Sequence, residues 1–259
     1  MIVFACIAPH GDVDLTPELR AAMEELGRRS AAAAPEVAVV VTPHSVHVAG
    51  HFAVVTAGKV GEWETDGALA AALLEADLPL LGVSYGGNDP PSAEFPLDWG
   101  TEVPLEFLRP PRVVVVSPAR DRPLEEHVRL GQVLARNSLL DGKRVALVAS
   151  ADHGHAHDPD GPYGFDPAAA AYDARLQEIL APRSSGRAAA ASPPSLPAVD
   201  RLDFLPLAEL VEPAKADSLW QLLVLQGALG EDAHAEVLAY AAPTYYGMLV
   251  AEVKSQTAA

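Results

Sequence analysis

Two kinds of apolar pattern alternate along the chain. Short continuous runs cover Ile2–Ala8, Val37–Val41 and residues 52–57, 78–84, 113–117 and 145–150, each bounded by turn residues. Runs of this kind predict strands covered on both faces. Longer segments with helical spacing lie between them. Over Pro17–Ala33, Thr16 can cap, Pro17 suits the first turn, and Leu19, Met23 and Leu26 recur on one face. Residues 67–76, 124–137, 168–180 and 216–229 repeat that theme, and residues 237–240 and 248–253 predict two closing strands joined around Pro243. This alternation predicts an α/β fold, with a mainly parallel or mixed central sheet flanked by helices on both faces.

Residues 183–199 break the rhythm, being rich in Ser, Pro and Ala. They predict a mobile surface loop rather than a domain boundary, because too little chain follows for a second domain. No internal repeat is present, so residues 1–259 are expected to form a single domain.

Composition narrows the function classes. The 259 residues are 49% hydrophobic, enough for one sizeable core. The formal net charge of −17 disfavours nucleic acid and anionic membranes as partners. The lone Cys6 lies in the first apolar run, where it packs as a small hydrophobe and cannot form an internal disulfide. The first residues carry no Lys or Arg, and their apolar run stops at Pro9-His10, unlike a secretory signal. No apolar stretch is long enough to span a bilayer, so a cytoplasmic protein is expected. A homo-oligomer is compatible with the sequence, but no interface signature points to one.

The candidate chemistry gathers in loops after the strands, where open α/β sheets bind their ligands. The first strand ends in Pro9-His10-Gly11-Asp12 and the second in Thr42-Pro43-His44-Ser45-Val46-His47. The fourth leads to a loop over residues 97–105, and the sixth to Asp152-His153-Gly154-His155-Ala156-His157. Most of the nine histidines lie in these loops or just beyond. A single loop histidine is ordinarily solvated or hydrogen-bonded, and His127 and His234, in polar helical or turn contexts, are assigned no role. The cluster says more, because imidazole binds transition metals and carries protons near neutrality. In each Pro-His step the proline stiffens the backbone that presents the histidine. If the sixth strand continued, His153, His155 and His157 would share a face and could form a separate site with Asp158 and Asp160; a solvated acidic loop is the competing reading. No HExxH, CxxC or Walker sequence is present. Gly82-Val83-Ser84-Tyr85-Gly86 fits the nucleophile elbow of a serine hydrolase, but that motif needs a helix directly after the serine, and a Gly- and Pro-rich stretch follows here.

Taken in order, these loops resemble the LigB superfamily, the class III extradiol ring-cleavage dioxygenases and their relatives. The resemblance covers nearly the whole chain. Pro9-His10 and Thr42-Pro43-His44 match the family's two Pro-His steps. Residues 98–105 match its D-H-G-x-x-V-P-L motif, residues 150–155 its S-G-D-L-S-H, and residues 160–167 its D-G-P-Y-G-Y-D-P. A late E-C-G helix ending in L-L-G-A-L aligns with residues 216–229.

The resemblance implies that His10 and His44 are ligands of Fe(II), although another divalent metal or none is also compatible. His155 would be the acid–base residue, and Asp152 would orient its loop. A catechol-type or related small aromatic would be the substrate, with Trp99, His153 and Tyr163 expected against it. Two positions depart from the family. Its carboxylate ligand falls at Ala216, which has no ligating group; Asp217 is next door, and the related Memo-like branch takes a cysteine ligand from that column. Neighbouring helical residues point about 100° apart, so Asp217 could substitute only if the helix shifts. The histidine of D-H-G is Trp99, which neither coordinates a metal nor shuttles a proton. The resemblance therefore implies either an extradiol dioxygenase or a degenerate binding or scaffold protein on the same fold, with a serine hydrolase at Ser84 as the remote alternative.

Overall fold

The computed structural model describes residues 1–85, 89–181 and 201–255, with Asn137 and Ser138 described in backbone only. The loop expected over residues 183–199 therefore lies outside the described residues. In chain order the first elements are β1 (Ile2–Ala8), α1 (Pro17–Ala33), β2 (Val37–Val41), β3 (Phe52–Val55), β4 (Lys59–Val60), β5 (Trp63–Thr65), α2 (Gly67–Leu74), β6 (Leu80–Val83) and β7 (Glu94–Phe95). Then come α3 (Trp99–Leu108), β8 (Arg112–Ser117), α4 (Leu124–Leu134), α5 (Asn137–Leu140), β9 (Val145–Ser150), α6 (Pro167–Leu180), α7 (Ala208–Ala214), α8 (Leu219–Leu229), β10 (His234–Ala241) and β11 (Met248–Lys254).

Among the described residues, eleven strands join one mixed sheet. Its centre, β1-β9-β2-β8, is parallel throughout. The antiparallel pair β10–β11 closes one side against β1. On the other side the sheet forks at β8. Arg112 and Val113 pair with β5, whereas Val116 and Ser117 pair with β3, which carries β6.

Strand periodicity assigns the core. In β1, Ala5 and Ile7 face one helical layer, while Phe4, Cys6 and Ala8 face the other. The first layer buries faces of α2, α4, α6 and α8; the second buries Leu19, Met23 and Leu26 of α1 with Leu105 and Leu108 of α3. Helices thus cover both faces, and the central strands read as unbroken apolar runs because neither face meets water. Helices α4 and α8 cross at two glycines. A Cβ on Gly131 would meet the carbonyl of Val224, and one on Gly227 that of Val128. This close crossing seats α8 and the turn that precedes it. Among the described residues no helix is long and apolar enough to cross a membrane.

Three sequence expectations change. Residues 97–105 are not a loop: Trp99–Leu108 is a helix, capped by Asp98, whose carboxylate accepts from the Thr101 amide at 3.1 Å. Its glycine and proline, Gly100 and Pro104, sit inside the first turns of that helix. The helix expected from residue 216 begins at Leu219, with Ser218 as its N-cap, so Ala216 and Asp217 are not helical neighbours. His127 does not sit in a polar setting: it is fully buried and packs edge-on against Phe52.

Candidate metal centre

The central parallel strands end at a common edge, and their loops deliver the candidate residues. His10 follows β1, His44 follows β2, Arg120 follows β8, and Asp152 to His155 follow β9. Asp217 enters from the turn between α7 and α8, and Trp99 from the first turn of α3. All but His153 and Gly154 line a cavity of about 820 Å³ with Tyr163, Tyr245 and Tyr246.

Three donor atoms converge at its floor. His10 Nε2 and His44 Nε2 are 2.9 Å apart, and Asp217 Oδ2 lies 3.8 Å from the first and 3.5 Å from the second. Ligands held about 2.0–2.2 Å from one divalent ion are themselves roughly 3–3.5 Å apart, so the triangle fits a shared ion. The other oxygen, Asp217 Oδ1, is buried without a hydrogen-bond partner, an arrangement a bound cation would relieve. Two imidazoles and one carboxylate are the donor set of a facial triad. Asp217 joins this group because residues 216–218 are not helical, so the angular objection drawn from a helix does not apply. Ala216 lines the cavity but offers no donor.

His10 is oriented through a chain of contacts that begins in α3. Pro104 has no amide hydrogen, so the Gly100 carbonyl, four residues earlier, has no helical donor. That carbonyl accepts the Ser150 hydroxyl proton, and Ser150 Oγ lies 3.0 Å from His10 Nδ1. With its proton committed to Gly100, Ser150 accepts from His10 Nδ1–H. The His10 Nε2 lone pair is thereby left facing His44 and Asp217. Outer contacts of this kind fix the tautomer of a metal-binding histidine. Asp98 does similar work for His44, since it accepts from Thr42 Oγ1 at 3.1 Å and Thr42 accepts the His44 amide at 3.3 Å. Ser150→Ala is expected to weaken divalent-metal affinity by roughly 10- to 100-fold. Pro104→Ala is expected to shift it less in the same direction, because the new amide would compete for the Gly100 carbonyl. Competitive metal titration of the folded variants checks both, and unchanged affinity in Ser150→Ala would remove Ser150 from the site.

Burial sets the charge states. It pushes the His10 imidazole well below its usual pKa, helped by His44 and His155, and pushes His44 down to about 4 with help from Arg120 and His155. Both rings are therefore neutral, ready to ligate, at neutral pH. Burial raises Asp217 to about 7, against the pull of Arg120, and raises Asp152 well above the carboxylate range, with Asp217 adding to it. A proton on Asp217 competes with the metal, whereas the two rings hold none to lose until far lower pH. Metal affinity is accordingly expected to be flat above pH 7 and to fall about tenfold per unit below it. A titration showing no bend between pH 8 and pH 5 would take the carboxylate out of the ligand set.

Other expected site residues are placed as follows. His155 lines the cavity, and its Nδ1 donates to the His153 carbonyl at 2.6 Å. Its ring lies 5.8 Å from Tyr246, nearly stacked, and 6.1 Å from Tyr163. Trp99 is 58% exposed and leans on His44 at 4.6 Å. Asp152 lines the cavity too, and its carboxylate accepts the His10 amide at 3.2 Å, which anchors the loop after β1. His153 is fully buried, 3.0 Å from Ser218 Oγ, and is not on the cavity wall. His157 turns away to Asp173 at 2.8 Å, so the three alternating histidines do not share a site; the strand has already ended at Ser150. Ser84 is exposed beyond β6, and among the described residues no histidine is hydrogen-bonded to it.

Sequence reasoning missed three contributors. Asp173 is 1% exposed and receives the Gly154 amide, His157 Nε2 and the Tyr240 hydroxyl. It thereby ties the His155 loop to α6 and β10. The signal was present: Asp173 falls on the buried stripe of α6 with Ala169, Tyr172 and Leu176, a face where a carboxylate needs partners. The tandem Tyr245-Tyr246 and Arg120 had no spacing that marked them.

The fold and this site define an α/β protein with a two-histidine, one-carboxylate candidate metal centre at the carboxyl edge of its parallel strands. Residues 6–251 match the family described as the catalytic LigB subunit of aromatic ring-opening dioxygenase, and the chain belongs to that family. Among solved structures, an uncharacterised protein from Escherichia coli K12, JW3007, shares the fold, with a TM-score of 0.63 and 17% identity over 96% of this chain and 98% of that one. No curated protein matches the chain.

Proposed function

We propose that this protein is an extradiol-type ring-opening dioxygenase for a small catechol-type aromatic, with Fe(II) held by His10, His44 and Asp217. The observation that carries this reading is the donor triangle of two neutral imidazoles and one buried carboxylate, open to a cavity that also holds His155. When bound, Fe(II) supplies open positions for the diol and for dioxygen. The chain's own groups do the rest. His155 commits Nδ1–H to the His153 carbonyl, so Nε2 presents a lone pair to the cavity. Burial holds its pKa below the usual histidine value, so it is a free base at neutral pH. It takes a diol proton as the substrate binds and returns it as the ring opens. Trp99, Tyr163 and Tyr246 offer flat faces to an aromatic ring.

A second reading, a ligand-binding member without oxygen chemistry, is favoured by Trp99, whose indole stands where the family carries a histidine. One experiment separates the two. Protein purified without chelators is loaded anaerobically with Fe(II), then oxygen uptake is followed on a catechol panel. Stoichiometric iron with uptake and a ring-opened product supports the dioxygenase. Iron bound without uptake favours the binding protein, and failure to bind iron ends the metal reading.

A further inference from the structure

Where the family pattern carries its carboxylate this chain has Ala216, and the carboxylate stands one residue on, at Asp217. The same pattern reads leucine at the column of His153 and glycine at that of Ser218. These departures meet in space, because His153 Nδ1 lies 3.0 Å from Ser218 Oγ. Neither residue is placed favourably in isolation. His153 is fully buried, and its Nε2 has no partner among the described residues, so the ring is desolvated for the one side-chain hydrogen bond it makes, to Ser218. Ser218 is the N-cap of α8, where a serine ordinarily accepts an amide of the first turn, yet it makes no cap bond. Its hydroxyl is shared instead between His153 and Tyr172 of α6, whose own hydroxyl lies 3.0 Å away and whose side chain is fully buried.

The His153–Ser218 contact is the middle one of three. The Ser150 carbonyl accepts from Gln221 Nε2 at 3.1 Å, and the His155 amide donates to the Ala214 carbonyl at 2.7 Å. The end of β9 and the turn between α7 and α8 therefore run in opposite directions, stitched at 150–221, 153–218 and 155–214. Asp217 lies between the last two stitches. With the chain held on both sides of it, little backbone freedom is left for its side chain to turn away from His10 and His44. The clamp is anchored in turn, since the His153 amide donates to the Gly247 carbonyl at 2.8 Å.

We propose that His153, Ser218 and Tyr172 are positioning residues: together they hold the α7–α8 turn so that Asp217, in place of residue 216, presents the carboxylate to His10 and His44. The inference rests on the metal reading of that carboxylate and adds what aims it. The rival role for the three is to pack the core.

The test needs no turnover. Metal-free crystal structures of the unaltered protein and of His153→Leu are compared first. In the variant the Asp217 carboxylate is expected to move off from His10 Nε2 and His44 Nε2, which it approaches at 3.8 Å and 3.5 Å; a carboxylate that stays overturns the inference. Co(II), whose visible absorption reports its coordination geometry, is then titrated as the probe metal. His153→Leu and Ser218→Ala are each expected to bind it roughly 10- to 100-fold more weakly, with an altered spectrum. The double variant should bind no more weakly than either, because all three lack the same contact. Tyr172→Phe should lose less. His153→Asn, which sets an amide atom near the place of Nδ1, should recover most of the affinity and the spectrum. Ser218→Ala removes no cap bond, so its crystals stand in for those of His153→Leu if that variant does not fold. A packing role would lower thermal stability but leave the carboxylate, the affinity and the spectrum as they were. That result overturns the inference, and so does a loss that His153→Asn fails to recover. If the unaltered protein takes up no Co(II), the metal reading falls, while a displaced carboxylate in the variant crystals keeps the clamp.

Discussion

His155→Ala is expected to reduce ring opening by roughly 10²- to 10⁴-fold, the usual contribution of a positioned acid–base group, while bound iron stays stoichiometric. The two effects separate because His155 is not one of the three converging donors. Its ring is held by its own Nδ1 bond to His153 and by neighbouring tyrosines, so truncation leaves the floor of the cavity in place. His155→Gln keeps a polar group but cannot accept and return a proton in the same way, so it should resemble the alanine variant. Oxygen uptake with iron analysis on the same sample reads both quantities. Normal turnover by His155→Ala would assign the proton transfer elsewhere, and loss of iron would move His155 into the metal site.

Asp217→Ala is expected to abolish stable Fe(II) binding, and activity with it. His10 and His44 would remain, but two neutral imidazoles supply no charge to offset that of a divalent ion. Asp217→Asn is the sharper test, because it preserves size and one oxygen while removing the negative charge. It should lose at least 100-fold in affinity, a larger effect than that of an outer contact. It should also lose the pH dependence, since no proton is left to compete near neutrality. Metal titration from pH 5.5 to 8 measures both. If Asp217→Asn binds iron as the unaltered protein does, the carboxylate is not a ligand.

Much of the fold was legible because the central strands are covered on both faces. β1, β2, β9 and α1 have the bounds that the apolar runs and the Thr16-Pro17 cap predict. The two-residue strands β4 and β7 were invisible, because two residues cannot show a period. α3 was hidden by its own composition. Its glycine and proline are loop formers on average, yet Gly100 lies against Thr42, and Pro104 frees the carbonyl that Ser150 needs.

The candidate site divides along the same line. His10 and His44 were marked by their Pro-His steps at strand ends, and His155 by the family motif. The status of Asp217 was not legible, because a helix boundary misplaced by three residues changes where a side chain points. Whether His153 meets a ligand was equally hidden, since alternation along the chain predicts a shared face only while the strand lasts.

By itself the sequence determined which segments are buried, and hence that a twisted α/β sheet brings several histidine loops to one edge. Hydrophobic periodicity is local, so it can be read from neighbours along the chain. Only the tertiary structure decided that Asp217 completes the donor triangle, that Ser150 orients His10, and that Arg120 stacks on Trp220 at the cavity wall. Each depends on atoms more than 90 residues apart in sequence approaching within a few ångströms, and no local pattern encodes such a distance.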